Sequence, residues 1–264
     1  MAFAKVGDVR LAYDDEGTGP AVVLLHGFPL GRWIWDAPRA ALRDRYRVVT
    51  PDLRGHGDSE VTAGPYHMDA LADDVARLLD ALHIDRAVVG GLSMGGYVAF
   101  ALWRRCAARV RGLILCDTRA KGDNQGEKVV RQSTAQVALD QGTAAVVEGM
   151  LPKLLAPQTL AARPDLVAAI RARLVATDPR AVAATLLGMK EREDSTPTLA
   201  TITVPTLVVV GSDDQLTPPG LARELQAAIP GARLEIVPEA GHLAPVEAPA
   251  ATSASLRRFL DGLE

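Results

Sequence analysis

The sequence predicts an α/β fold in which helices cover both faces of a mostly parallel sheet. Short apolar runs rich in β-branched residues alternate with longer stretches of helical periodicity, an alternation that is typical of α/β proteins. Most of the apolar runs are continuous, as in strands that are buried on both faces. A glycine-flanked serine also stands between one such run and a helical pattern, which indicates a strand–turn–helix arrangement. At 264 residues, the chain has a size that such folds reach as a single unit.

The predicted strands differ in how exposed they should be. Val9–Tyr13 alternates apolar with polar or charged residues, which indicates a half-exposed strand followed by a turn at residues 17–20. The other predicted strands are short and apolar: Ala21–Leu25, Arg47–Thr50, Ala87–Gly90, Gly112–Cys116, Thr206–Val210 and Arg233–Val237. The stretches with helical periodicity are Met68–Leu82, Met94–Arg105, Leu221–Ile229 and Ala251–Leu260.

One long segment departs from this alternation. From about Arg119 to Thr203 the chain shows no strand pattern, only Ala- and Leu-rich helical stretches interrupted by prolines. The segment is too long for a simple crossover, so we predict that residues 119–203 form a helical insertion over the sheet edge. Residues 1–118 and 204–264 then form the core. Because no Phe, Trp or Tyr lies between Trp103 and Phe259, any pocket wall from the insertion should be aliphatic.

Composition excludes several classes of partner. The formal net charge of −3 provides no basic excess for nucleic acid or an anionic membrane. No apolar run reaches the roughly 18 residues of a membrane span, and the first residues lack the apolar region of a signal peptide. Two cysteines are too few for a disulfide framework. We therefore expect a soluble, cytoplasmic protein that acts on a small molecule; its oligomeric state stays open.

The strongest chemical signal is the segment Gly91–Gly95, Gly-Leu-Ser-Met-Gly, between a predicted strand and a predicted helix. It has the G-x-S-x-G pattern of a nucleophile elbow, and the pattern stands in the required strand–turn–helix context. Glycines flank the serine because side chains there would collide with neighbouring backbone in so sharp a turn. The hydroxyl group would project at a helix N-terminus, where free N–H groups stabilise negative charge. The segment predicts Ser93 as a nucleophile.

A serine hydroxyl is a weak nucleophile and needs an adjacent base. Among five histidines, His242 stands on the loop after the last predicted strand, where catalytic groups collect in open α/β sheets. A carboxylate should hold its imidazole in one tautomer. Asp213 and Asp214 follow the strand Thr206–Val210 and are the first candidates, and Asp117 after an earlier strand is the alternative.

The loop after the strand Ala21–Leu25 is the candidate oxyanion-binding loop. It reads His-Gly-Phe-Pro, and Gly27 would let the backbone approach a ligand closely. We assign the backbone N–H groups of Phe28 and Met94 as the donors to a developing oxyanion. His26 is expected to have a structural role, hydrogen-bonding within the loop.

Five segments together resemble the successive signatures of the α/β-hydrolase superfamily. They are Leu24–Leu30, Pro51–Ser59, Gly90–Gly96, Gly211–Asp214 and Ala240–His242. Within the superfamily the chain is similar to small bacterial carboxylesterases, cofactor-free haloperoxidases or perhydrolases, and 3-oxoadipate enol-lactonases.

The resemblance implies an eight-stranded, mostly parallel sheet with a helical cap between strands six and seven. It also implies that Asp214, three positions after Gly211, is the acid of a triad with Ser93 and His242. The loop that contains His56 is then scaffold, and no cofactor or metal is expected.

The resemblance narrows the expected reaction to cleavage of an ester or lactone through an acyl-enzyme. Haloalkane dehalogenases and epoxide hydrolases place Asp at the nucleophile position, which here is Ser93. An aliphatic cap suits a small to medium apolar acyl group, and we expect Trp33, Leu92 and Leu243 to line the pocket. Perhydrolase or haloperoxidase activity is the alternative from the same acyl-enzyme. Enol-lactonase activity is a further alternative that the missing cap tryptophan disfavours, and a non-catalytic receptor or a hydroxynitrile lyase of this fold is disfavoured too.

Overall fold

The centre of the protein is a twisted sheet whose middle strands are parallel. The computed structural model describes residues 1–263. Its strands are β1 (Ala2–Val6), β2 (Val9–Glu16), β3 (Ala21–Leu25), β4 (Arg47–Pro51), β5 (Ala87–Leu92), β6 (Val110–Cys116), β7 (Thr206–Gly211) and β8 (Arg233–Val237). They lie in the order β1-β2-β4-β3-β5-β6-β7-β8. The first two pairings, β1 with β2 and β2 with β4, are antiparallel, and the remaining pairings are parallel. The expected eight-stranded, mostly parallel sheet is confirmed.

The first strand is the one that the residue pattern did not predict. Most side chains of β1 are exposed because it is an edge strand that pairs only with β2. An exposed edge strand buries little apolar surface, so its sequence carries no clear apolar run. The predicted strands and helices otherwise agree with the structure to within a few residues at their ends.

The central strands are buried on both faces, which is why they read as continuous apolar runs. In β3, Val22 and Leu24 belong to one hydrophobic cluster, whereas Val23 and Leu25 belong to another on the opposite face. All four side chains are fully buried. The sheet therefore separates two apolar layers, and each layer is closed by helices.

The helices divide into those that cover the sheet and those inserted between β6 and β7. The first group is α1 (Asp36–Leu42), α2 (Met68–Ala81), α3 (Met94–Cys106), α10 (Pro219–Ala228), α11 (Ala244–Glu247) and α12 (Pro249–Asp261). The inserted group is α4 (Gln125–Gln141), α5 (Thr143–Leu154), α6 (Pro157–Ala162), α7 (Pro164–Val175), α8 (Pro179–Lys190) and α9 (Thr196–Leu199). No helix within residues 1–263 is both long and apolar enough to cross a membrane.

The prolines of the inserted segment, which we call the cap, mainly start helices. Pro157, Pro164 and Pro179 each stand in the first turn of a helix, where the missing N–H is not needed. Pro152 alone lies inside a helix, near the end of α5. The cap adds apolar side chains to both hydrophobic layers, so it is packed onto the core.

Candidate active site

Ser93 occupies a sharp turn between β5 and α3. Its backbone has φ 54° and ψ −112°, an unfavourable conformation for a residue with a side chain. A Cβ atom at Gly91 would lie 2.2 Å from the backbone carbonyl carbon of Gly95, and one at Gly95 would lie 2.4 Å from the carbonyl oxygen of Leu25. Only glycine fits at these two positions, because the helix must start directly against the neighbouring strand.

The neighbouring strand β6 holds the turn in place. The Ser93 N–H donates to the carbonyl oxygen of Cys116 at 2.9 Å. The Thr118 hydroxyl donates to the carbonyl oxygen of Ser93 at 2.7 Å. The Ser93 hydroxyl itself makes no hydrogen bond within the described residues, and sites without substrate often have such loose nucleophile contacts.

His242 and Asp214 form a buried hydrogen-bonded pair. His242 is 2% exposed, and its Nδ1 lies 2.8 Å from Asp214 Oδ2. The same oxygen accepts from the Thr217 hydroxyl at 2.6 Å. Asp214 Oδ1 accepts from the N–H groups of Leu216 at 2.8 Å and Thr217 at 3.0 Å.

These contacts set the charge of Asp214 and the tautomer of His242. Burial by itself raises the pKa of Asp214, but the charge and hydrogen bond of His242 and the donors on Thr217 outweigh it and lower that pKa to about 2. Asp214 is therefore ionised at neutral pH and can only accept. Nδ1 of His242 must carry the proton of this hydrogen bond, so Nε2 is the ring nitrogen that is left to act as an acceptor.

The two other candidate acids have different surroundings. Asp213 accepts from the Ser212 hydroxyl at 3.1 Å and from the Gln158 amide of the cap at 2.9 Å. Asp117 is fully buried, and its Oδ1 accepts from the Gly211 N–H at 2.8 Å. Neither aspartate hydrogen-bonds to a histidine within residues 1–263.

Asp117 nevertheless lies beside the pair. Burial, and secondarily the charge of Asp214, raises the pKa of Asp117 well above its usual range. Its second oxygen has no hydrogen-bond partner among the described residues. One ligand-type atom each of Asp117, Asp214 and His242 lies within 4.8 Å of the others, a spacing that could hold a metal ion. Since Nδ1 of His242 and both oxygens of Asp214 are engaged in hydrogen bonds, the donor set favours the hydrogen-bonded pair over a metal centre.

The loop after β3 lies against the elbow. A Cβ atom at Gly27 would come within 3.1 Å of Ser93 Cβ, so the loop backbone passes directly beside the serine. Met94 begins α3, and the N–H groups of Phe28 and Met94 donate to no acceptor within residues 1–263. Both N–H groups are thus available to a ligand beside Ser93.

His26 and His56 have structural surroundings. His26 Nδ1 donates to the Gly27 carbonyl oxygen at 2.8 Å, and its Nε2 accepts from the Leu53 N–H at 2.9 Å. His56 Nδ1 donates to the Arg54 carbonyl oxygen at 3.0 Å. Both rings are fully buried, and burial lowers the pKa of His26 to about 4 and that of His56 to about 3.

The predicted pocket residues fall in two places. Leu92 and Leu243 are fully buried in the apolar layer that also contains Leu151 and Leu154 of the cap. Trp33 instead lines a cleft of about 440 Å³. There the Arg173 guanidinium lies over the Trp33 ring, 5.0 Å from the ring centre. Ser93, Asp214 and His242 are not among the residues that line this cleft.

Sequence reasoning missed three polar residues around the site. The Thr217 hydroxyl donates a hydrogen bond to Asp214, and the Thr118 hydroxyl donates to the Ser93 carbonyl oxygen in the elbow. Glu247 accepts from a backbone N–H of the loop that carries His242. Thr217 had a usable signal, because Asp and Thr three positions apart often close a polar turn. Glu247 had none, since all its partners are backbone N–H groups, and one of them, that of Ala156, lies 91 positions away.

Known proteins share this arrangement of strands and loops. A family model described as alpha/beta hydrolase fold matches residues 20–249. The chain belongs to this family. A thermophilic esterase from Thermogutta terrifontis is 42% identical to this α/β-hydrolase, with a TM-score of 0.96 over 98% of this chain and 96% of that chain.

Curated relatives of this α/β-hydrolase carry different activities in their names. The 3-oxoadipate enol-lactonase 2 of Acinetobacter baylyi is 31% identical over 96% of this chain and 95% of the relative. A putative non-heme bromoperoxidase of Mycobacterium tuberculosis is 30% identical over 95% of this chain and 97% of the relative. The family, together with an esterase and an enol-lactonase among the similar proteins, supports a hydrolase.

Proposed function

We propose that the protein hydrolyses carboxylic esters or lactones with a small to medium apolar acyl group, through an acyl-enzyme on Ser93. The observation that carries the proposal is the buried Asp214–His242 hydrogen bond of 2.8 Å, on loops at the same sheet edge as the strained turn of Ser93. An ionised aspartate on Nδ1 leaves Nε2 as a base for the serine hydroxyl.

The reaction has two halves. Ser93 Oγ attacks the carbonyl carbon while His242 takes its proton, and the oxyanion binds to the N–H groups of Phe28 and Met94. His242 then protonates the departing alkoxide, which leaves the acyl group on Ser93. A water molecule that gives its proton to His242 then attacks this ester, and His242 passes the proton to Ser93 Oγ as the bond to the acyl carbon breaks and the acid leaves.

The apolar surroundings support the substrate class. Leu92 and Leu243 pack with the cap side chains Leu151 and Leu154, and the cap contains no Phe, Trp or Tyr. Such an aliphatic wall favours an apolar acyl chain. The solved relative of 42% identity is an esterase, which agrees with this class.

The decisive experiment combines active-site labelling with turnover. A fluorophosphonate probe should label the wild type at Ser93, and a panel of p-nitrophenyl esters and lactones should be hydrolysed. Ser93→Ala should fold and lose several orders of magnitude in rate, because the triad acts as a unit. Ser212→Ala, a change of an exposed serine, is the control and should retain labelling and turnover. Labelling elsewhere, or an active Ser93→Ala variant, would refute the assignment.

Perhydrolysis is a second candidate because a relative of 30% identity is named a putative non-heme bromoperoxidase. In that reaction hydrogen peroxide, rather than water, attacks the acyl-enzyme and releases a peracid. Measuring peracid and acid from one small ester at fixed peroxide gives the ratio of the two reactions. Enol-lactonase activity, named for another relative, can be measured on the enol-lactone itself.

A further inference from the structure

Glu247 is a buried carboxylate that binds the loop of His242 from behind. It is 6% exposed and stands at the end of α11. Its Oε1 accepts from the N–H of Gly241 at 2.9 Å and from the N–H of Leu243 at 3.3 Å. These two N–H groups flank His242, so one carboxylate oxygen holds the backbone on both sides of the ring.

The other oxygen of Glu247 binds the cap. Oε2 accepts from the N–H of Ala156 at 2.7 Å, just before α6 begins. The Arg163 guanidinium, in the same part of the cap, donates to the Glu247 carbonyl oxygen at 2.7 Å. A Cβ atom at Gly241 would lie 2.5 Å from the Ala156 nitrogen, so the two backbones are in direct contact.

We propose that Glu247 is a positioning residue that couples the seating of the cap to the position of His242. Its carboxylate connects the start of α6 to the N–H groups on either side of the histidine. When the cap segment at Ala156 is in place, Glu247 is held and the His242 loop is held with it. When that segment lifts, the loop loses its support.

The chemistry of Glu247 suits this role and no simple replacement does. A carboxylate has two oxygens that both accept, as the backbone donors on its two sides require. Glutamine has only one acceptor oxygen. Its NH₂ group would face the backbone N–H of either Ala156 or Gly241, and two donors cannot hydrogen-bond to each other. Aspartate is one methylene shorter, so it cannot span the same donors.

The hydrogen bond between Glu247 and the cap can be broken without substituting Glu247 itself. Ala156 has φ −62° and ψ 147°, and Leu155 has φ −120° and ψ 148°. These angles suit proline at 156 and the residue that precedes it. Ala156→Pro therefore removes the N–H that donates to Glu247 Oε2 and places the ring Cδ where its hydrogen lay, so Oε2 must move away from the cap; both donors beside His242 remain. Arg171→Ala is the control, because Arg171 donates to Glu148 within the cap and both side chains are exposed.

Amide hydrogen exchange tests the coupling without relying on activity. Glu247→Gln should speed exchange in both segments 154–162 and 240–244. Ala156→Pro should also speed exchange at 240–244, although the substitution lies in the cap. Arg171→Ala should leave exchange at 240–244 as in the wild type. Faster exchange confined to 154–162 in Ala156→Pro would overturn the coupling.

Turnover of a small ester tests the positioning role, which rests on the proposed function. Misplacement of a catalytic group by about 1 Å costs up to about 100-fold, so Glu247→Gln should lower kcat by about 10- to 100-fold with KM changed less than about threefold. Ala156→Pro should lower kcat by about 10-fold. The double variant should match Glu247→Gln alone, because both changes break one link.

The outcomes separate the two proposals. If the kcat losses of Glu247→Gln and Ala156→Pro multiply in the double variant, the two sites act independently and the inference is overturned. Altered exchange with unchanged kcat would overturn the positioning role. A wild type without ester turnover would refute the proposed function, while the exchange result would still decide whether the cap and the His242 loop are coupled.

Discussion

At the scale of single residues, Asp213 and Asp214 show how position on a loop decides chemistry. Asp214 is buried and accepts four hydrogen bonds, one of them from His242. Asp213 is only partly buried, and its side chain faces Ser212 and the cap residue Gln158. Adjacent residues point in different directions, so only Asp214 reaches the imidazole.

We expect Asp214→Asn to reduce kcat by up to about 10⁴-fold, because an amide cannot hold the histidine in the required tautomer. Asp213→Asn, the matched control, should cost far less and act mainly on stability. Steady-state kinetics on one p-nitrophenyl ester measure both. A crippled Asp213→Asn variant beside an active Asp214→Asn variant would contradict the assignment.

Asp117→Asn should retain kcat to within about threefold. Burial raises the pKa of Asp117, which disfavours its charged form, and asparagine keeps an oxygen that can accept from the Gly211 N–H. The same kinetic assay checks this expectation, and a melting curve shows whether the variant is folded. If this change removed activity while Asp214→Asn did not, the acid of the triad would lie after β6.

At the scale of elements, the elbow depends on how closely α3 approaches β3. A Cβ atom at Gly95 would lie 2.4 Å from the Leu25 carbonyl oxygen and 2.8 Å from that of His26. These contacts are with backbone atoms, which cannot move aside as a flexible side chain can. The close approach brings the Ser93 turn beside the loop of Phe28.

Gly95→Ala should therefore destabilise the protein by about 1–3 kcal/mol, as overpacking does in well-packed cores. Gly220→Ala is the control, because a Cβ atom there would have no neighbour within 4 Å and Gly220 lies in helix α10. Alanine at a helical position of this kind should be neutral or stabilise by up to about 1 kcal/mol. Urea unfolding of the two variants measures the difference, and equal stabilities would contradict the steric argument.

At the scale of the whole molecule, two buried histidines make stability depend on pH. His26 and His56 lie 5.1 Å apart between ring centres and support the loops after β3 and β4. Their pKa values of about 4 and about 3 lie below the ordinary value of 6.5, so both are neutral in the folded protein. In the unfolded chain both take up a proton as the pH falls through about 6.5.

The free energy of unfolding should therefore fall as the pH is lowered from about 6.5 to about 4, since the unfolded chain binds more protons there. The two histidines contribute about 2.7 kcal/mol per pH unit in this window. Asp117 contributes with the opposite sign, because its raised pKa lets the folded protein keep a proton that the unfolded chain loses. The pKa of Asp214 is lowered to about 2, so its contribution to the free energy of unfolding is lost only as the pH falls below about 3.8. Urea unfolding between pH 7 and pH 4.5 measures the slope.

His56→Asn is the matched variant for that measurement. It should remove one of the two protons and lower the slope by about 1.4 kcal/mol per pH unit. His83→Asn, which changes an exposed histidine, should leave the slope nearly as in the wild type. An unchanged slope in His56→Asn would show that this ring is not buried as a neutral group.

The sequence by itself determined the class of fold and the local form of the elbow. Runs such as Ala21–Leu25 are apolar at every position because both faces are buried, and Gly91 and Gly95 are required by backbone contacts on either side of Ser93. These features follow from local periodicity and from the space available at one turn. The exposed edge strand β1 has neither signal and was missed.

Only the tertiary structure decided which groups meet across the chain. Asp214 rather than Asp213 faces His242, Asp117 lies beside them with a pKa raised by burial, and Glu247 joins the His242 loop to the cap at Ala156. The physical reason is that hydrogen bonds and pKa values depend on distance and burial, which sequence spacing does not specify. Asp214 and His242 are 28 positions apart, and Ala156 and Glu247 are 91 positions apart. Each pair comes into contact only when the sheet aligns its strand ends and the cap packs onto them.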